Sequence, residues 1–231
     1  MQYLIHHMLS ESAAKYPSNE ALVAKNHRIN YEDMAAQVAN AAGNLRELGV
    51  NRGDRIAIFL PPSATLPLAI FATAQASAVF VPIHHGLFPD QVLHILNDCG
   101  AVALIADAVR LERIQSVLPN VPTLKLTIVD SPDDAQNAPE TYSWDSLGNH
   151  PASPTDQSIE KDLAAILYTS GSTGRPKGVM LSHANVMAGA EIVSDYLHLS
   201  NTDRLLAALP LSFDAGLNQL TTAVLQGATT V

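Results

Sequence analysis

The chain has 231 residues, 47% of them hydrophobic and 15% charged, with a formal net charge of −9 at pH 7. That balance excludes a disordered segment, and with no Lys/Arg cluster to offset the acidity it argues against a nucleic-acid partner. A single cysteine, Cys99, excludes an internal disulfide framework and fits a reducing, cytoplasmic setting.

The opening, MQYLIHHMLSESAAKYP, has no basic n-region and no long apolar core, so no signal peptide is read there. Residues 2–16 are predicted helical and stopped by Pro17, and 21–23 with 27–30 read as a short hairpin. Asn30 is placed to cap a helix whose first turn holds Glu32 and Asp33, where carboxylates suit the positive end of the helix dipole. Met34, Val38, Ala41, Leu45 and Leu48 then recur at steps of four and three, one face of an amphipathic helix, and Gly49 ends it.

From Ile56 to Pro89 there is no Asp, Glu, Lys or Arg, a membrane-span length. Pro61, Pro62, Pro67 and Pro82 interrupt it, so strand (55–60), helix (64–76), strand (78–83) is the reading, with no transmembrane helix. A helix over 89–99 turns Val92, Ile95, Leu96 and Cys99 inward. Strand (101–106), helix (108–118) and strand (124–129) follow. Strands alternating with helices imply parallel pairing through right-handed crossovers.

Residues 130–162 are rich in Pro, Asp, Ser and Asn and read as a surface connection with room for one short strand, anchored by Tyr142, Trp144 and Leu147. Beyond the apolar run at 163–167, a helix opens at Ser182 or His183, a strand covers 204–209, a helix runs over about 215–225 to a Gly227 cap, and a strand starts at 228. The expected organisation is a first α/β subdomain (1–130), a surface connecting segment (131–162), and a phosphate loop with the start of a second, incomplete α/β subdomain (163–231). The expected fold is α/β, with layered, mostly parallel sheets and helices on both faces. An apolar strand is an unusual finish for a complete domain, so the chain reads as a fragment.

The chemistry is concentrated between Leu167 and His183, LYTSGSTGRPKGVMLSH. Thr169, Ser170, Gly171, Ser172, Thr173 and Gly174 form a loop of small and hydroxyl-bearing residues after a strand. Glycines let several N–H groups converge, four hydroxyls add donors, and Lys177 brings a cation behind the stiff Pro176. This is a cradle for polyphosphate. It is not the P-loop of nucleotide triphosphatases, because Gly178 and not Ser or Thr follows Lys177. The bland alternative is a Gly/Ser surface linker, which needs neither flanking apolar strands nor a terminal Pro-Lys-Gly.

Tyr168 to Val179, YTSGSTGRPKGV, resembles the phosphate-binding signature of the AMP-forming ligases, the adenylate-forming superfamily of acyl-CoA synthetases, luciferases and peptide synthetase adenylation domains. The resemblance covers essentially the whole chain as the N-terminal large-domain portion of such an enzyme. It implies that Thr169–Gly174 and Lys177 hold the β- and γ-phosphates of ATP, that Mg²⁺ shares their charge with Thr169 as a metal contact, and that a carboxylic acid becomes an acyl-AMP. The acyl group would then pass to the thiol of CoA or of a phosphopantetheine carrier protein.

Leu209 to Gly216, LPLSFDAG, resembles the signature that lines the acyl pocket, which implies substrate-binding roles for Phe213 and Asp214. An Asp directly after the aromatic pairs with the ammonium of amino-acid substrates in some members. The other reading is that Asp214 caps a helix starting at Ala215. The family's later signatures, and the small C-terminal domain with its adenylation lysine, have no match, so no catalytic residue is assigned and the chain is expected to be inactive alone. The alternative is a non-catalytic ATP-binding module derived from such a ligase; an ordinary ATPase is disfavoured by the missing lysine–threonine pair. His6-His7 and His84-His85 lack the companion ligands of a metal site.

Overall fold

A computed structural model describes residues 4–130, 141–149, 157–169 and 175–231. Helix α1 (Ile5–Lys15) leads to the hairpin β1 (Glu20–Ala24) and β2 (His27–Asn30). Helix α2 (Tyr31–Glu47) starts where the sequence places it: the Asn30 side chain accepts from the Asp33 N–H at 2.7 Å. Then come β3 (Arg55–Phe59), α3 (Thr65–Gln75), β4 (Val79–Pro82), α4 (Pro89–Cys99), β5 (Ala103–Ala106), α5 (Ala108–Ile114) and β6 (Leu126–Val129). The second half holds β7 (Thr141–Ser143), α6 (Trp144–Asn149), β8 (Leu163–Thr169), β9 (Lys177–Ser182), α7 (His183–Leu197), β10 (Arg204–Leu205), α8 (Asp214–Gln226) and β11 (Thr229–Thr230).

Seven strands form the main sheet in the order β7-β6-β5-β3-β4-β8-β9, parallel throughout except for the antiparallel β8–β9 pair at one edge. Four more form a small sheet, β10-β11-β1-β2, in which only β1 and β2 run antiparallel. The class is as expected: α/β, with mostly parallel sheets and helices on both faces.

The alternation of side chains along the central strands sorts the core into two layers. Ile56 and Ile58 of β3 and Phe80 of β4 join Ile5, Met8, Tyr31, Met34, Phe71 and Leu220, so this face is covered by α1, α2, α3 and α8. Ala57 and Phe59 of β3, with Val79 and Val81 of β4, join Val92, Ile95, Leu96 and Ile114, so α4 and α5 cover the other face. Burial on both faces explains the uncharged run at 56–89, and no helix among the described residues is long and apolar enough to cross a membrane. Cys99 is buried as expected, and burial pushes its thiol up to about 11, away from nucleophilic use at neutral pH.

Four expectations need correction. The sheets do not divide at 131–162: β8 pairs with β4, Phe80 opposite Ala165, whereas β11 pairs with β1, Leu22 opposite Thr230. The first 30 residues therefore belong with the last 30, because their strands complete one another's hydrogen bonding. The connecting segment also carries a helix besides its strand: α6 buries Trp144 and Leu147, and Asn40 and Asn44 of α2 donate to its Gly148 and Leu147 carbonyls. The strand expected over 204–209 is regular only over Arg204–Leu205, although the Ala207 N–H still donates to the Val231 carbonyl at 2.9 Å. Helix α5 ends at Ile114 rather than at 118, and a short 3₁₀ turn (Leu118–Asn120) follows, built around Pro119.

Candidate active site

The β8–β9 hairpin pairs six positions, ending with Tyr168 opposite Gly178 and Thr169 opposite Lys177. Thr169 is therefore the last residue of a strand, not the first of a loop, and Lys177 begins the return strand. Both are exposed, and among the described residues Lys177 makes no ion pair. Ser170, Gly171, Ser172, Thr173 and Gly174, the remainder of the expected cradle, lie outside the described residues.

A glycine is required opposite Tyr168. A Cβ at Gly178 would sit 2.7 Å from Ile166 Cγ2 and 3.2 Å from the Tyr168 ring, so the aromatic ring lies directly over the partner backbone. The Tyr168 hydroxyl donates to Asp98 Oδ2 at 2.5 Å, and burial, with the hydrogen bond to Asp98 second, pushes its ionisation upward. Tyr168 is thus a neutral donor.

Thr169, Pro176 and Phe213 meet around one cavity of about 270 Å³, which Tyr168, His84 and Ser212 also line. His84 follows the C-terminal end of β4, the position at which open parallel sheets place ligands. Its ring lies 5.7 Å from that of Phe213 and stacks on His85 at 4.7 Å. Burial, then the neighbouring His84, Arg110 and Arg113, push the His85 imidazole below its ordinary range. Arg113 fixes this turn by donating to the carbonyls of His85, Gly86 and Leu87 at 3.3, 3.3 and 2.5 Å. Sequence reasoning dismissed His84 as half of an unsupported metal pair; its place just after a predicted parallel strand was the available signal.

Of the two acyl-pocket candidates, only Phe213 lines this cavity. Asp214 is exposed, and α8 begins at Asp214 itself with Phe213 in the cap position and no side-chain capping bond. The reading of Asp214 as the cap of a helix starting at Ala215 is therefore overturned. Asp214 sits in the first turn, where its charge still meets the positive end of the helix. Gly216, which sequence reasoning passed over, sets this corner. A Cβ there would run into the Pro210 carbonyl oxygen and lie 2.6 Å from its carbon and 2.8 Å from the Leu209 oxygen. The same Pro210 oxygen accepts the Phe213 N–H at 3.1 Å, so the first turn of α8 is pressed onto the loop that presents Phe213.

Lys177, exposed and without an ion pair among the described residues, thus follows Pro176 at the rim of a partly apolar cavity at the C-terminal edge of a parallel sheet, where open α/β sheets place ligands. The chain belongs to the AMP-binding enzyme family, whose model matches residues 9–231. Among curated relatives it is 33% identical over 207 residues to enterobactin synthase component F of Escherichia coli, covering 90% of this chain and 15% of that protein. It is 29% identical over 215 residues to the vanchrobactin synthetase VabF of Vibrio anguillarum, covering 93% of this chain and 7% of the relative. The chain therefore spans a small part of the curated relatives it matches. The structure of the anthranilate CoA ligase AuaEII in complex with anthranoyl-AMP is similar at a TM-score of 0.92 and 25% identity, covering 99% of this chain and 45% of that one.

Proposed function

We propose that these residues form the ATP-holding N-terminal part of a ligase that activates a carboxylic acid as its acyl-AMP. The acyl group then passes to the thiol of CoA or of a phosphopantetheine-bearing carrier protein. The observation that carries this reading is the convergence of Thr169, Pro176 and Phe213 on one cavity, with Lys177 next in the chain after Pro176 and paired opposite Thr169. In the first step a carboxylate oxygen bonds to the α-phosphorus, the bond to pyrophosphate breaks, and negative charge accumulates on the departing oxygens. In this reading Thr169–Gly174 and Lys177 hold those β- and γ-phosphates, with backbone N–H groups, hydroxyls and one ammonium as donors. The similarity to a ligase caught with an aryl adenylate supports the same use of the cavity here.

Mg²⁺, when bound, supplies charge neutralisation on the pyrophosphate. Among the described residues no cluster of three His, Cys, Asp or Glu could hold a metal, and the donor set instead suits a cation carried by the phosphates and water with the Thr169 hydroxyl as one ligand. The single buried Cys99 supports a cytoplasmic setting.

The 231-residue chain is expected to bind MgATP in calorimetry yet to give no acid-dependent pyrophosphate exchange over a panel of acids. Robust exchange would show that these residues suffice for catalysis. Failure to bind MgATP would remove the phosphate reading altogether.

Phe213 is assigned to one wall of the acid site, and Asp214 to the ammonium of an amino or imino acid. Asp214 follows Phe213 directly and is exposed in the first turn of α8, free to meet an ammonium group at the cavity mouth as a charge-assisted partner. In a longer chain that completes the reaction, Asp214→Ala should lower kcat/KM for amino acids by about tenfold or more, the loss of one charge-assisted hydrogen bond, and leave a simple fatty or aryl acid unchanged. Equal losses for both classes would contradict this assignment.

A further inference from the structure

Helix α4 carries a polar strip that the hydrophobic pattern does not require. Gln91, His94 and Asp98 recur at steps of three and four, which puts them on one side of the helix, next to the buried stripe of Val92, Ile95, Leu96 and Cys99. Two of these side chains reach the hairpin at its two stems. Asp98 accepts the Tyr168 hydroxyl at 2.5 Å, one residue before the end of β8. His94 Nε2 lies 3.1 Å from the Pro176 carbonyl oxygen, one residue before β9 begins. A carbonyl oxygen can only accept, so His94 Nε2 carries the proton of this bond. Ile95 and Gln91, between and beside them, line the same cavity as Thr169 and Pro176.

We propose that α4 positions the phosphate hairpin, with Asp98 acting through the Tyr168 hydroxyl on one stem and His94 acting through the Pro176 carbonyl on the other. Both are positioning residues. The proposal rests on the reading of the hairpin end as the polyphosphate site, but the clamp itself is a statement about the unliganded chain.

Three features support it. First, the hairpin lies at the edge of the sheet: among the described residues β9 pairs with β8 alone, and no further strand there holds the Lys177 strand from its outer side. Second, the packing is one-sided. Gly178 offers no side chain, and the stem there is held by the Tyr168 ring lying across it, which makes the anchorage of that ring decisive. Third, neither α4 contact is needed for the helix itself. The α4 start is closed by the Gln91 side chain accepting the Phe88 N–H at 3.0 Å, and its end by Gly100 at φ +62°. Asp98 and His94 are therefore spare side chains directed at one target.

The test combines hydrogen–deuterium exchange of the unliganded 231-residue chain, in peptides covering 163–169 and 175–182, with calorimetry for MgATP. Tyr168→Phe, which removes the bond, is expected to speed exchange in both peptides by about tenfold, and Asp98→Asn, which leaves only a neutral acceptor, by about threefold, both leaving α2 unchanged. The double variant should exchange no faster than Tyr168→Phe alone, since without the hydroxyl the side chain at position 98 has nothing to accept from. His94→Ala should act on 175–182, and His94→Gln, which keeps a donor near the Nε2 position, should restore it. The same three disruptive variants should raise the MgATP Kd by about five- to tenfold. Unchanged exchange in Asp98→Asn and His94→Ala overturns the clamp, as does additivity in the double variant. If Tyr168→Phe unfolds, the Asp98→Asn and the His94→Ala against His94→Gln comparisons decide alone. Absent MgATP binding by the unsubstituted chain, with exchange responding as expected, would discard the phosphate reading and retain the clamp.

Discussion

Lys177→Ala should weaken MgATP binding by roughly 10- to 100-fold, with the melting temperature unchanged. The fold-change follows from losing one charge-assisted contact to phosphate, worth about 1.5–3 kcal/mol. Stability should not move because Lys177 is exposed, joins β9 through its backbone opposite Thr169, and makes no ion pair among the described residues. Isothermal calorimetry against MgATP and a thermal melt measure the two quantities side by side. In a longer chain that completes the reaction, pyrophosphate exchange should fall in parallel. A Kd within about twofold of the unsubstituted chain would remove Lys177 from the phosphate site.

Gly216→Ala should lower stability by about 1–3 kcal/mol or more, the usual cost of overpacking, because the added methyl meets backbone that cannot rotate away. The Pro210 carbonyl it would strike is itself held by the Phe213 N–H. Relief requires the first turn of α8 to lift off the 209–212 loop, carrying Phe213 away from the cavity. Gly148→Ala is the control: a Cβ at Gly148, inside α6, meets nothing within 4 Å, and Gly to Ala in a helix should be neutral or stabilising by up to about 1 kcal/mol. Thermal unfolding of the pair should therefore give shifts of opposite sign. For a domain of this size each kcal/mol corresponds to about 2–4 °C. A Gly216→Ala melt matching that of Gly148→Ala would show that the corner is looser than its distances imply.

Much of the architecture was legible because local signals were strong where burial was complete. The Asn30 cap, the 3.6-residue periodicity of α2, Pro89 and Gly100 around α4, and Gly227 after α8 each tie a local residue type to a local backbone geometry. The class of site was legible for a similar reason: a cradle of small residues ending in Pro-Lys-Gly is a contiguous word in the chain. What failed was everything decided at a distance. Sheet membership could not be read, because the pairing of β1 with β11 leaves no mark on either short strand. Helix α6 was missed because six residues including Gly148 and Asn149 have little intrinsic helix preference, and the burial of Trp144 and Leu147 against α2 settles the outcome. The partners of Tyr168 and Pro176 were invisible because a hydrophobic-face reading of α4 attends to Val92 and Leu96 and passes over Asp98 and His94.

The closure of the small sheet has a kinetic side. The Tyr31 hydroxyl donates to the Ala228 carbonyl at 2.6 Å and Ser12 to that of Val224, 212 positions away. Strand β1 has its second neighbour in a strand some two hundred residues later, and the loop entropy of that meeting comes due before any of its contacts form. During synthesis, α1, the β1–β2 hairpin and the apolar side of α2 must wait on the ribosome for α8 and β11 to emerge. Until then the Tyr31 and Ser12 hydroxyls lack the acceptors they have in the fold and the side of this core that α8 covers stays open, a window in which the nascent chain is sticky.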